Sequence, residues 1–253
     1  MKIYSTCEIA KICGIHPNTV RFYEQQSLIT TPIRKSNGYR VFTDLHIFQI
    51  KLIRIALRTE VLQNGLRNQV VKIIKLCAKM EFSEAAIQTD IYIEMIESEL
   101  RHAKNAVMAA ENILRNDIPS EKILLKKNEA ATYLNITADT LRNWDRNGLI
   151  DVKRKSNGYR VYDENDLRIL SIIRTLRLAN YSLSSILRLL SVMKNKTYRS
   201  SEIEYVLNTP FADEDIITAC DKLVISLENT LSDACIIRKA LVSKKNIVKK
   251  IKY

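Results

Sequence analysis

The sequence predicts a mostly α-helical protein made of two copies of one small domain, each followed by a long helix. Three observations carry this. Only five glycines and four prolines occur among 253 residues, where an average chain would hold about 12% of the two together. So few turn-formers disfavour a β-sandwich, a barrel or a disordered linker protein. The octapeptide RKSNGYRV stands at residues 34–41 and again at 154–161, a coincidence expected by chance less than about once in a million for so short a chain, so the chain is a duplication. Finally, two stretches carry apolar residues in alternating steps of four and three, the spacing of a coiled-coil seam.

The elements follow in order, copy by copy. Ser5 and Glu8 have capping-box spacing, so a short helix begins there and runs to about Cys13. Gly14, matched by Asn135 in the second copy, suits a left-handed turn. His16 then caps a second helix with Pro17 in its first turn, and Thr137 caps its counterpart. Two short helices across a tight turn make a helix-turn-helix. Residues 8–29 align with 129–150 throughout this region. The Asn-Gly inside each RKSNGYRV is a strong hairpin signal, so a β-wing follows each helix-turn-helix. Thr43 and Asp163 cap another amphipathic helix, and Ser182 opens a further one in the second copy.

The long helices come next. From Phe82 the seam runs Ala86, Thr89, Ile93, Ile96, Leu100, Ala103, Val107, Ala110 and Leu114. From Ile216 it runs Cys220, Leu223, Leu227, Thr230, Ala234, Ile237 and Leu241. At 1.5 Å per residue, about 35 residues make a rod of roughly 50 Å. The expected organisation is a first winged helix-turn-helix at 1–78, a long helix at 79–118, a connector at 119–126, a second winged helix-turn-helix at 127–199, and a second coiled-coil helix with a basic tail at 200–253.

Charge narrows the function. Lys and Arg number 40 against 28 Asp and Glu, a net +12, as expected of a polyanion binder. Residues 1–78 and 121–199 each carry +8, while 79–120 carry −4 and 200–253 are neutral. The basic excess therefore lies in the two modules. A hydrophobic fraction of 46% excludes disorder. No apolar run reaches the roughly 18 residues of a membrane span, and the N-terminus has no signal-peptide core. Five cysteines without paired spacings suit free thiols in a reducing cytoplasm, the expected location. Cys220 on the seam reads as a small buried hydrophobe, and Cys7 and Cys13 lack zinc-ligand spacing. No catalytic, metal or cofactor constellation stands out, and none is expected.

Thr-Val-Arg-Phe-Tyr-Glu at 19–24 followed by Asn-Gly-Tyr-Arg-Val-Phe at 37–42 resembles the MerR transcription regulators, as does Thr-Leu-Arg-Asn-Trp-Asp at 140–145 with Asn-Gly-Tyr-Arg-Val-Tyr at 157–162. The resemblance covers nearly the whole chain, twice. It implies an antiparallel coiled coil of the long helices. It also implies that residues 17–25 and 138–146 enter the major groove of double-stranded promoter DNA, with RNA polymerase an indirect partner. On that implication His16, Asn18, Thr19, Thr137 and Thr140 lie where bases are read, and Arg21 and Arg142 pair with guanine or clamp a phosphate. Tyr23 and Trp144 either bond the DNA backbone or pack in the core. Arg34, Lys35, Tyr39 and Arg40, with Arg154, Lys155, Tyr159 and Arg160, meet the sugar-phosphate backbone.

Family members usually carry one module per chain, whereas this chain carries two. With a connector of about eight residues reaching roughly 28 Å, the two copies are expected to pair within one chain about a pseudo-twofold, a homodimer being the alternative. The modules differ where bases are read and agree in the wings, which points to an asymmetric, bipartite operator. An architectural or recombination accessory protein that bends DNA would share these features. A coiled-coil adaptor would not account for two +8 modules.

Overall fold

The computed structural model describes residues 2–58, 65–115, 123–152, 160–194, 202–211 and 218–251. In chain order the described elements are β1 (Ile3–Tyr4), α1 (Thr6–Cys13), α2 (Pro17–Gln25), β2 (Ile33–Arg34), β3 (Arg40–Thr43), α3 (Asp44–Ala56), α4 (Leu66–Ala78) and α5 (Phe82–Arg115). The second half follows with β4 (Leu124–Lys126), α6 (Lys127–Tyr133), α7 (Ala138–Arg146), β5 (Val161–Asp163), α8 (Glu164–Leu178), α9 (Leu183–Lys194) and α10 (Ile203–Asn208). A 3-10 turn at Ala219–Lys222 then leads into α11 (Leu223–Ile251). The tip of the second wing, with Arg154, Lys155 and Tyr159, lies outside the described residues.

The chain divides into two compact units, residues 1–98 with 227–253, and residues 99–226. In the first unit the local signals act as read. Ser5 Oγ accepts from the Glu8 amide, and the Glu8 carboxylate accepts from the Ser5 amide, closing the capping box of α1. Gly14 ends α1 at φ 62°, and its amide and that of Ile15 bond back to Lys11 and Ala10. The sheet is antiparallel in the order β1-β3-β2, with Tyr4 opposite Phe42 and Ile33 opposite Val41. Ile9, Val20, Phe42, Ile50, Ile53 and Ile73 form the core of this unit, each worth about 1.5–3 kcal/mol of burial. Gln49 ties the loop before the wing to the end of α4, donating to Thr30 Oγ1 and to the Cys77 carbonyl, both at 2.8 Å. The first half of α5 and most of α11 belong to this unit too. Arg238 makes a two-pronged pair with Asp90 at 2.8 and 3.2 Å, Arg58 reaches Asp233 at 3.0 Å, and Lys244 sits over the Phe48 ring.

The second unit repeats the module with changes. Asp163 and Asp166 cap α8 reciprocally. β4 pairs antiparallel with β5, Leu125 opposite Tyr162. Residues 124–126, expected to end a connector, are thus a strand of the second module. Here the module packs on the second half of α5: the Tyr181 hydroxyl donates to the Ala103 carbonyl at 3.4 Å, and Arg168 donates to the Ile113 carbonyl at 2.7 Å and to that of Leu114. Capping the last carbonyls of a helix with a cation is favourable. Arg188 is buried, and it donates to the carbonyls of Val206 at 2.7 Å, Leu207 at 3.0 Å and Asp221 at 2.7 Å. It locks α9 to α10 and the 3-10 turn, elements without a counterpart between α4 and α5.

The seams are buried at Thr89, Ile96, Ala103, Val107 and Ala110 on α5, with Ile93 and Leu100 half-buried between them. On α11 they are buried at Leu223, Leu227, Thr230, Ala234, Ile237 and Leu241. The structure corrects one expectation. The second long helix begins at Leu223, and Cys220 sits half-exposed in the preceding 3-10 turn, because Asp221 accepts from the Thr218 amide at 2.6 Å and holds that turn off the helix. Ile216 lies outside the described residues.

Candidate nucleic-acid interface

α2 and α7 are nine-residue helices that bury one narrow stripe, Val20 on α2 and Leu141 with Trp144 on α7, and leave the rest exposed or half-exposed. His16 caps α2, its Nδ1 accepting from the Asn18 amide at 3.2 Å. Thr137 caps α7 by accepting from the Thr140 amide at 3.0 Å. Thr19 and Thr140 are half-buried on the first turns. Arg21 and Arg142 are exposed, each braced by the residue three places before it. Arg21 Nη1 donates to Asn18 Oδ1 at 2.8 Å, and Arg142 Nη1 lies 3.8 Å from Asp139 Oδ1. Phe22, next to Arg21 on α2, is 52% exposed.

The wing of the first module is a tight turn. Lys35 N donates to the Tyr39 carbonyl and Gly38 N to the Lys35 carbonyl, with Gly38 at φ 80°. Lys35 is exposed, and Tyr39 is 73% exposed.

Arg40 and Arg160, expected at the DNA backbone, each face an acid of the preceding helix. Arg40 Nε donates to Glu24 Oε2 at 2.5 Å, and Arg160 Nη2 meets Asp145 Oδ2. With Glu24 only 11% and Arg40 25% exposed, the pair in the first module fastens wing to helix, and the matching pair does the same in the second. Arg34, half-exposed, leans on the other Glu24 oxygen at 3.5 Å and keeps an outward face. Trp144, expected either at the DNA backbone or in the core, packs in the core at 5% exposure, one turn along from buried Leu141. Its counterpart Tyr23 is half-buried, and burial pushes its hydroxyl pKa up.

The role of Glu24 and Asp145 in holding Arg40 and Arg160 is what sequence reasoning missed. The signal was present, an acid at the same place in both copies, but the partner lies sixteen residues away in the first module and only folding brings it near. The thiols of Cys13 and Cys77 are buried, and burial raises the Cys77 pKa to about 12. Among the described residues no group of three or more His, Cys, Asp or Glu could hold a metal ion, and no helix is long and apolar enough to cross a membrane.

Comparison with known proteins agrees twice over. The profile described as MerR family regulatory protein matches residues 5–42, and that described as MerR HTH family regulatory protein matches 126–192. An uncharacterized HTH-type transcriptional regulator of Synechocystis sp. is 33% identical over 115 residues, which is 45% of this chain and 84% of that protein. The chain belongs to the MerR family. Its two matched stretches do not overlap, so this MerR chain holds two such regions. The family is regulatory rather than catalytic. The HTH-type transcriptional regulator CueR of Escherichia coli O6:H1 is 43% identical over 49 residues, covering 19% of this chain and 36% of CueR, so only about a third of CueR's length is matched. A solved structure, HiNmlR, described as a MerR family regulator lacking the sensor domain and bound to promoter DNA, aligns at 22% identity and TM-score 0.28 over 49% of this chain and 78% of that one.

Proposed function

We propose that this chain is a transcription regulator that binds promoter DNA through both modules, acting as a single-chain pseudo-dimer with its two long helices paired antiparallel. The observation that carries the reading is the make-up of each unit. The unit built on the first module takes in α11, through Arg58–Asp233 and Arg238–Asp90. The unit built on the second module takes in the end of α5, through Arg168 and Tyr181. Each copy's long helix thus reaches the other copy's module, as a second chain would in a dimer of single modules.

On this reading α2 and α7 enter the major groove. His16, Asn18, Thr19, Thr137 and Thr140 face bases together with Arg21 and Arg142, while Arg34, Lys35, Tyr39, Arg154, Lys155 and Tyr159 hold phosphates. Tyr23 adds a hydroxyl at the edge. Like wings and unlike reading helices give a bipartite operator with unlike half-sites. Gripping both distorts the duplex at a cost of about 1–6 kcal/mol, offset by the second set of contacts, and offers polymerase a reshaped promoter. The test is binding of the full chain to duplex DNA across a salt series. Each neutralised phosphate contributes about −0.9 to the slope of log affinity against log salt, so a slope of several units is expected. A flat salt dependence would refute DNA binding by the wings.

A further inference from the structure

Matching places on α2 and α7 carry side chains of opposite hydrogen-bonding capacity. Asn18 and Asp139 each follow the first residue of a nine-residue helix, each is exposed, and each turns one oxygen toward the arginine three residues on. What remains outward differs. With its oxygen engaged by Arg21, Asn18 still presents an NH2 group with two donors. Asp139, whose side chain is 88% exposed, presents a second carboxylate oxygen that only accepts. One turn further, apolar Phe22 on α2 stands where α7 has Asn143, whose Oδ1 accepts from Asn147 Nδ2 at 2.8 Å.

We infer that Asn18 and Asp139 are specificity-determining residues that make the two modules read opposite base-edge chemistry. Asn18 selects an acceptor edge in one half-site, such as guanine O6 and N7, adenine N7 or thymine O4. Asp139 selects a donor edge in the other, the exocyclic amine of cytosine or adenine. The braced arginines supply the guanine contact that both half-sites share. Phe22 adds a preference for a thymine methyl in the first half-site alone. A carboxylate aimed at the groove is repelled by phosphate and by acceptor edges, so Asp139 works by excluding half-sites that lack the donor. The inference rests on the DNA-binding reading above and gives it direction, since it states which chemistry distinguishes the half-sites.

The experiment is selection of bound duplexes from a random pool by the full chain in four forms: wild type, Asn18→Asp, Asp139→Asn, and the double swap. Both single changes are near-isosteric and are checked by thermal unfolding. Asp139→Asn is expected to lose its cytosine or adenine preference at one position by about tenfold, and Asn18→Asp to gain one of similar size. The double swap exchanges the preferred edges of the two half-sites. If Asp139 served only the positive N-terminal end of α7, the swap would move stability and leave the selected sequences alone, which overturns the inference while the DNA-binding reading stands. If the wild type enriches no sequence at all, that reading falls and the inference falls with it.

Discussion

At the scale of single residues, the Glu24–Arg40 and Asp145–Arg160 pairs show why the helix motif and the wing motif occur together in both copies. The acid lies near the end of α2 or α7, the arginine stands at the start of β3 or just before β5, and their pairing ties helix to strand. Because the Arg40 guanidinium already has its counter-charge, Arg40→Ala is expected to weaken DNA binding and cost on the order of 1–2 kcal/mol of stability while leaving the salt slope unchanged. Lys35→Ala should instead reduce the slope by about one unit with little effect on stability. Equal slope losses in the two variants would return Arg40 to the phosphate contacts. His46 carries a second prediction at this scale. Its Nδ1 accepts from the Thr43 amide, while its buried Nε2 has no well-aligned hydrogen-bond partner among the described residues, only the Thr30 backbone nearby. Burial pushes its pKa below the usual 6.5, opposed more weakly by the nearby Thr30 backbone and the Glu24 charge. Between the lowered folded value and 6.5 the unfolded chain binds the proton and the folded one does not, so this contribution is complete above 6.5 and is lost as pH falls. The second copy places Asp166 here, an acid that caps the same turn. His46→Asp should therefore abolish the acid-side loss in urea unfolding between pH of about 7.5 and about 5. An unchanged pH dependence would mean that other groups control it.

At the scale of elements, helix ends were the most legible part of the sequence because capping is local chemistry. The αL residues after α1 and α6, Gly14 and Asn135, and after α2 and α7, Ser27 and Gly148, close the same pair of backbone bonds in both copies. Ser27 at φ 54° carries a Cβ in a conformation that Gly148 adopts freely. Ser27→Gly should raise stability by on the order of 0.5–1 kcal/mol, the relief of strain exceeding the added entropy of the unfolded chain. A lower urea midpoint would contradict this. The heptad seams were readable inside the helices, since a steady 4–3 rhythm over several turns is the period of a packed helix face, but the start of the second was not, α11 beginning only at Leu223. β1 and β4 escaped notice, being two and three residues long and so too short to alternate visibly. They exist because the edge of the wing strand needs partners for its backbone groups. α10 was also missed. Six residues give too little periodicity to read, and its place is set by the bonds from Arg188 to the Val206 and Leu207 carbonyls, a non-local tie that no spacing announces.

At the scale of the whole molecule, the proposed pseudo-dimer has duplication in one chain do what pairing of two chains would otherwise do, which would free the copies to diverge. The octapeptide of the wing is identical in the two copies, while α2 and α7 differ as PNTVRFYEQ and ADTLRNWDR. This division was open to view in the sequence, because the repeat could be aligned residue by residue. Which arginines already had a partner was hidden, since Arg40 and Arg34 look alike until Glu24 is in place. A single-chain pseudo-dimer requires one chain to engage two unlike half-sites. The most direct measurement is the mass of the complex on a duplex selected by the full chain, together with the sequence of that duplex. One 29.2 kDa chain per duplex, on a bipartite site whose halves differ, is the expected result. Two chains on a symmetric site would contradict it.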